Sequence, residues 1–113
     1  MTKASEIARM ADLAQLVLDH RLSQLRSTAA ELDRSRMQIA ALDQKTTPTD
    51  LEPLAAEKVS LTYSRWADQR RAELNLVIAR QTVAWMEARG EAQTAFGRVQ
   101  ALQGLATRLK EKR

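Results

Sequence analysis

The chain has 113 residues, no cysteine, one histidine and a net charge of +4 at pH 7. A chain of this length accommodates one domain, and an aromatic content of only 4% favours long helices over a thick globular core. The absence of cysteine excludes disulfides, a thiolate nucleophile and a cysteine-ligated metal.

The N-terminal residues do not have the pattern of a signal peptide. Glu6, Arg9 and Asp12 interrupt the first apolar residues, whereas a signal peptide needs a continuous apolar stretch. No run of about eighteen uncharged apolar residues occurs in the chain, so we expect no transmembrane segment.

A first long helix is predicted over residues 5–45. Apolar or small residues return there every three or four positions, which is the spacing of a coiled-coil seam. Ser5 precedes the first apolar residue and is the predicted N-cap. One charged residue, Arg36, interrupts the seam near its end. The predicted seam consists of Ile7, Ala11, Ala14, Leu18, Leu22, Leu25, Ala29, Leu32, Arg36 and Ile39.

The helical periodicity then stops, and residues 46–52 are predicted to form a joint. Pro48 lies within this stretch, and Pro53 directly follows it. Proline lacks a backbone donor and clashes with the preceding turn, so the first helix should end near Gln44 or Lys45.

The second helix is predicted over residues 53–110, and its start has two candidate caps. Thr49 forms a capping box with Glu52, three residues later. Thr47 instead places Pro48 at the first helical position, which proline favours. The sequence leaves both alternatives open.

The second helix carries the more regular seam. Its apolar residues step by three and four without a fault through Trp85, Ala88, Ala92, Ala95, Val99, Leu102, Ala106 and Leu109. The register extends back through Gln81, Ile78 and Leu74. Farther back it meets Arg71 and Ala67, and the seam is predicted to shift towards Val77, Arg70, Trp66 and Tyr63. Neither helix buries its seam alone, so the predicted fold is all-α, with two long helices forming an antiparallel coiled-coil hairpin.

The two tryptophans have different expected environments. Trp85 lies in the regular seam and is predicted to belong to the core. Trp66 lies where charged residues crowd the sequence. A core position is favoured for Trp66, and the alternative is a partly exposed pair with Tyr63 that anchors a partner.

All three glycines lie seven residues apart on the outward side of the second helix. A glycine within a helix costs about 1 kcal/mol relative to alanine. Either these exposed positions tolerate glycine, or they form a face on which another backbone packs closely. The small-residue stripe consists of Gly90, Thr94, Gly97, Ala101 and Gly104.

No arrangement of residues typical of catalysis or of metal binding occurs in the sequence. His20 is the only histidine, and no glycine-rich phosphate loop occurs. The carboxylates are scattered, and a two-helix rod offers no cleft for acid–base chemistry. We therefore expect a protein that is not an enzyme and that binds no cofactor and no metal.

The positive charge is concentrated at the C-terminal end. Residues 91–113 carry five basic and two acidic side chains, which gives +3. Cations there suit the dipole of a helix C-terminus, and the alternative is an acidic partner. Nucleic-acid binding is not expected, because no basic stripe is interleaved with aromatic residues. The basic residues at this end are Arg108, Lys110, Lys112 and Arg113.

Three stretches resemble, in order, the FliJ/YscO type of protein, the small stalk components of flagellar and other type III export systems. They are RMADLAQ, the polar joint with its prolines, and YSRW followed by a long helix rich in glutamine and arginine. The resemblance implies a coiled coil similar to the central shaft of rotary ATPases, inserted into the hexameric export ATPase. It also implies contact with the export gate or with export chaperones. The expected location is cytoplasmic, at the inner face of the membrane export apparatus.

Two function classes remain open. The first is the non-catalytic export stalk or adaptor, and the alternative is a self-associating coiled-coil or chaperone-like module unrelated to secretion. Flagellar or injectisome genes beside this one would favour the stalk. In either class the candidate partner-binding residues are the small-residue stripe, Tyr63, Trp66 and the basic C-terminal end.

Overall fold

The structure is a computed structural model that describes residues 2–44 and 52–112. Within those ranges α1 spans Lys3–Leu42 and α2 spans Pro53–Glu111, with no strand. The helices pack in opposite directions, because Leu18 of α1 clusters with Val99 of α2 and Leu42 clusters with Ala67. The predicted all-α antiparallel coiled-coil hairpin is confirmed.

The N-terminus of α1 is capped by Thr2. The Thr2 carbonyl accepts hydrogen bonds from the backbone N–H of Ser5 at 3.1 Å and of Glu6 at 3.3 Å. The Thr2 hydroxyl oxygen also accepts from the Ser5 N–H at 3.3 Å, which is the geometry of an N-cap side chain. The prediction of Ser5 as the cap is wrong, because Ser5 already lies in the first turn.

The C-terminus of α1 lies at Leu42, a little before the predicted end. The backbone N–H of Asp43 donates to the Ala40 carbonyl at 3.2 Å, and that of Gln44 donates to the Ala41 carbonyl at 3.3 Å. Hydrogen bonds of this i to i−3 type tighten the final turn and stop the regular helical ladder.

The second helix begins with a proline at its first position. The backbone N–H of Ala56 donates to the Glu52 carbonyl at 2.8 Å, so Pro53 opens α2 where its missing N–H breaks no hydrogen bond. The candidate caps Thr47 and Thr49 lie outside the described residues.

The chain divides into two compact units, and each contains a segment of α1 and a segment of α2. We call Met1–Ala29 with Ala84–Arg113 the terminal unit, and Ala30–Val83 the central unit.

The terminal unit buries the seam that the sequence predicts. Burial of a leucine or valine side chain stabilises the fold by about 1.5–3 kcal/mol, and the alanines let the helix backbones approach closely. Arg21 of α1 donates to Glu91 of α2 across the edge of this seam at 2.9 Å. The buried or half-buried members of the cluster are Ala14, Leu18, Leu22, Ala95 and Val99.

Trp85 lies half-buried in the same seam. The Arg89 guanidinium lies over its ring, 5.6 Å from the centroid, as a cation–π contact requires. The indole therefore has an inner side towards the seam and an outer side covered by charge.

The central unit corrects the predicted course of the α1 seam. Leu32 and Ser35 are buried, whereas Arg36 is exposed. The seam then continues through Ile39 to Leu42, which pack together. Because the seam steps by three after Leu32, the small Ser35 faces inward and Arg36 faces solvent. The exposed guanidinium of Arg36 therefore carries no desolvation penalty.

The central unit also corrects the predicted course of the α2 seam, which does not shift towards Trp66 and Tyr63. Ala67 is 4% exposed and Leu74 is buried, whereas Trp66 is 54% exposed and Tyr63 38%. The register through Trp66 and Tyr63 is wrong, and so is the core position favoured for Trp66. The small Ala67 lets α1 approach closely, and Arg71, one turn later, is half-buried.

One buried polar atom of the central unit has no hydrogen-bond partner among the described residues. The Oε1 atom of Gln81 is buried and accepts no hydrogen bond from any residue that the structure describes. Gln81 follows Leu74 and Ile78 in the α2 seam. An unsatisfied buried acceptor destabilises a fold by about 1–3 kcal/mol.

Candidate protein-interaction surfaces

No metal centre is present in the parts of the chain that the structure describes, since nowhere there do three or more His, Cys, Asp or Glu side chains cluster. His20 is exposed. Small-molecule sites enclose most of their ligand, whereas the described residues present three open surfaces that are candidates for contact with another protein.

The first surface is an apolar groove on α2 in the central unit. Val59, Thr62, Tyr63 and Trp66 lie three or four residues apart, so they share one side of the helix. With Lys58 they line an open groove of about 510 Å³, which we call the aromatic groove. Tyr63 and Trp66 had been assigned to a partner contact from the sequence, and the structure brings them together.

The aromatic pair has a defined geometry. The Tyr63 and Trp66 ring centroids are 5.7 Å apart, and the ring planes are tilted by 42°. Tilted pairs within this distance attract each other through their quadrupoles. The pair thus presents a preformed, half-exposed aromatic surface, which is the type of side chain that dominates the energy of protein interfaces.

Two ion pairs follow the aromatic groove along α2, whereas a lysine lies at the groove itself. Arg70 pairs with Glu73 at 3.2 Å, and Arg71 pairs with Asp68 at 3.0 Å. Lys58, at the groove itself, forms no ion pair with a residue of the described ranges. The groove edge therefore carries an uncompensated positive charge.

The second surface is the small-residue stripe of the terminal unit. A Cβ atom built onto Gly90, Gly97 or Gly104 would have no neighbouring atom within 4 Å. Thr94 and Ala101 are exposed as well. The glycines therefore do not bring α1 and α2 together, and open space lies over each of them.

The third surface was not anticipated from the sequence. On one flank of the terminal unit, Val17 and Arg21 of α1 face Glu87, Thr94 and Arg98 of α2 across an open hollow of about 540 Å³. A second hollow of about 290 Å³ adjoins it and shares Glu87 and Glu91. We call the two hollows together the lateral groove.

An exposed apolar strip on α1 lies near this groove. Met10, Leu13 and Val17 recur at three- and four-residue spacing, and Leu16 is exposed beside them. This second apolar periodicity in the first helix is visible in the sequence, and it could have indicated an outer docking face.

The basic C-terminal end lies on the last turn of α2 and beyond it. Arg108 and Lys110 occupy the last turn, Lys112 follows them in an exposed position, and Arg113 lies outside the described residues. The Lys112 N–H donates to the Arg108 carbonyl at 3.2 Å. Positive side chains here complement the carbonyls at the helix terminus.

Comparison with known proteins identifies no relative. No protein family matches the chain, and no curated protein or solved structure is significantly similar to it. Within the described ranges, neither α1 nor α2 has a segment sufficiently long and apolar to cross a membrane.

Proposed function

We propose that this chain is a non-catalytic stalk or adaptor of a type III protein export apparatus, and that it engages the hexameric export ATPase. The observation that carries the proposal is which surfaces of the two helices are buried and which are exposed. The apolar seam is used to pair α1 with α2, while the small-residue stripe and the aromatic groove face outward. The type III assignment itself rests on the resemblance in sequence.

The small-residue stripe is the proposed contact with the ATPase ring. Open space over Gly90, Gly97 and Gly104 allows a loop of the ring to approach the α2 backbone closely. A shaft of small side chains also presents few protrusions to a surrounding ring. Both properties suit a coiled coil that is held inside a ring of subunits.

The other two surfaces are assigned to further partners. The aromatic groove is proposed to anchor the export gate or an export chaperone, because Tyr63 and Trp66 supply a rigid apolar contact. The basic end at Arg108 and Lys110 is proposed to meet an acidic surface. In this role the protein works in the cytoplasm, at the inner face of the membrane export apparatus.

The test is a binding measurement with the export ATPase encoded in the same genome. Calorimetry should give a complex with the wild-type chain, and the G90L/G97L/G104L variant should weaken the complex at least about tenfold. Gln93→Leu, a substitution at a single exposed site outside the stripe, serves as the control and should leave the affinity unchanged. Absence of binding by the wild-type chain, together with undisturbed export when the gene is deleted, would refute the stalk function.

The alternative is a self-associating coiled-coil module unrelated to secretion. The exposed strip formed by Met10, Leu13 and Val17 favours it, because an apolar strip on a paired helix is typical of further helix packing. The two functions are separated by the ATPase titration, since only the stalk requires that complex.

A further inference from the structure

Two side chains of opposite charge on the lateral groove form no ion pair with any residue that the structure describes. Glu87 and Arg98 both line this groove and are exposed, and neither forms an ion pair with a residue in the described ranges. They are eleven residues apart (98 − 87) on α2, or about 16 Å along the axis. That distance is too long for them to pair with each other.

The lateral groove follows one continuous stripe of α2. Its members recur at steps of three and four, which keeps them on one side of the helix. The stripe extends over nearly five helical turns, and both hollows of the groove lie along its part from Ala84 to Arg98. It consists of Ala84, Glu87, Glu91, Thr94, Arg98 and Ala101.

The charges of this stripe are complementary to those of a second copy of the same stripe that runs antiparallel to it. If a two-fold axis crosses α2 between positions 92 and 93, Glu87 of each copy lies opposite Arg98 of the other. Two identical ion pairs form, as a symmetric dimer interface requires. The same axis places Glu91 opposite Thr94, whose hydroxyl donates to a carboxylate.

The ends of the stripe and the neighbouring α1 surface fit the same arrangement. The axis places Ala84 opposite Ala101, and two small residues allow close helix approach. Val17 lies in the groove, and Leu13 and Met10 are exposed on the same side of α1, one and two turns earlier. A second α2 seated in the groove would shield this apolar strip from water.

We propose that two copies of this chain associate through the lateral groove, with their α2 helices antiparallel and with reciprocal Glu87–Arg98 ion pairs. The product is a four-helix assembly formed by two terminal units. The inference goes beyond the proposed export function, since the contact involves only copies of this chain, although Thr94 and Ala101 also belong to the small-residue stripe assigned above to the export ATPase. It is tested on the purified protein with no ATPase present.

Substitutions that reverse the charge of Glu87 or of Arg98 test directly whether these side chains pair between copies. Sedimentation equilibrium of the full chain should show a reversible dimer. Glu87→Arg and Arg98→Glu should each raise the dimer dissociation constant about tenfold or more, since each places like charges opposite one another twice. An equimolar mixture of the two variants should regain wild-type affinity, because both pairs are then attractive. The double variant E87R/R98E should do the same alone.

Matched controls come from the other flank of α1. Asp12 and Arg26 are exposed and lie about 140–180° around the helix from Val17 and Arg21. Asp12→Arg and Arg26→Glu make the same charge changes and should leave dimerisation unaffected. Circular dichroism verifies that every variant retains its helices.

Three results would overturn the proposal. One is a wild-type chain that stays monomeric at the highest concentration measured. Another is a dimer that E87R and R98E leave intact. The third is a mixture of the two variants that fails to recover, because rescue by mixing requires the charges to meet between copies.

Discussion

Arg71 of α2 bridges to Asp43 just beyond the end of α1, where its Nη2 donates to the carboxylate Oδ1 at 2.7 Å. Its Nη1 simultaneously donates to Asp68, one turn earlier on α2, at 3.0 Å. The same side chain lies half-buried at the seam edge of the central unit. A single half-buried arginine thus ties the end of α1 to α2.

Removal of the Arg71 side chain should therefore destabilise the hairpin more than loss of a surface ion pair. We expect Arg71→Ala to lower the free energy of unfolding by about 1–2 kcal/mol, from lost packing and a lost bridge. Arg70→Ala, which removes an exposed pair with Glu73, should cost about 0.5 kcal/mol or less. Urea unfolding followed by circular dichroism measures both. Equal losses for the two variants would contradict the role assigned to Arg71.

A charge placed in the terminal-unit seam should unfold it. Val99 is 4% exposed, so Val99→Asp buries a carboxylate without a partner and should cost about 3 kcal/mol or more. Leu25→Asp should act in the same direction with a smaller effect, because Leu25 is only half-buried. Gln100→Asp is the control at an exposed neighbouring position. Thermal melting that gives one transition temperature for all three variants would show that the seam is misplaced.

Gln81→Leu should stabilise the central unit by about 1–2 kcal/mol. The substitution removes the buried Oε1 atom that lacks a donor and replaces it with an apolar group of similar size. Gln93→Leu makes the same change at an exposed site and should alter stability by about 0.5 kcal/mol at most. The urea concentration at the midpoint of unfolding, measured for each variant and for the wild type, distinguishes the effect of Gln81→Leu from that of Gln93→Leu. A less stable Gln81→Leu variant would mean that the amide has a partner in solution.

Alanine at the three glycines should stabilise the terminal unit. Nothing lies within 4 Å of a Cβ atom at Gly90, Gly97 or Gly104, so each substitution should gain up to about 1 kcal/mol from the lower entropy of the unfolded chain. The G90A/G97A/G104A variant should therefore melt at a higher temperature. A lower melting temperature would show that the stripe is covered. If the stripe is a partner-binding face, the triple leucine variant should fold but lose its partner.

The two tryptophans should differ in solvent access. Trp66 is 54% exposed, whereas Trp85 is half-buried in the seam and covered by Arg89. Acrylamide should therefore quench the fluorescence of the Trp85→Phe variant, which retains Trp66, more strongly than that of Trp66→Phe. The reverse order would place Trp66 in an interface, either within the chain or between copies.

The sequence by itself determined the fold class and most of the terminal-unit seam. From Ala88 to Val99 the three-and-four periodicity indicates one buried face, because Ala88, Ala92, Ala95 and Val99 form the continuous apolar stripe of this segment. Pro48 and Pro53, with no helical periodicity between them, required the chain to leave the helical conformation between the two helices. These features depend on residues close together in the chain, so they can be predicted from the sequence directly.

The tertiary structure alone decided between residues that are neighbours in sequence. Ser35 rather than Arg36 and Ala67 rather than Trp66 face the partner helix, because the close approach of α1 and α2 selects the small residue at each position. The lateral groove likewise exists only where Val17 and Arg21 of α1 lie beside Glu87 and Arg98 of α2. Those residues are about seventy positions apart in the chain, and only the pairing of the helices brings them to one surface.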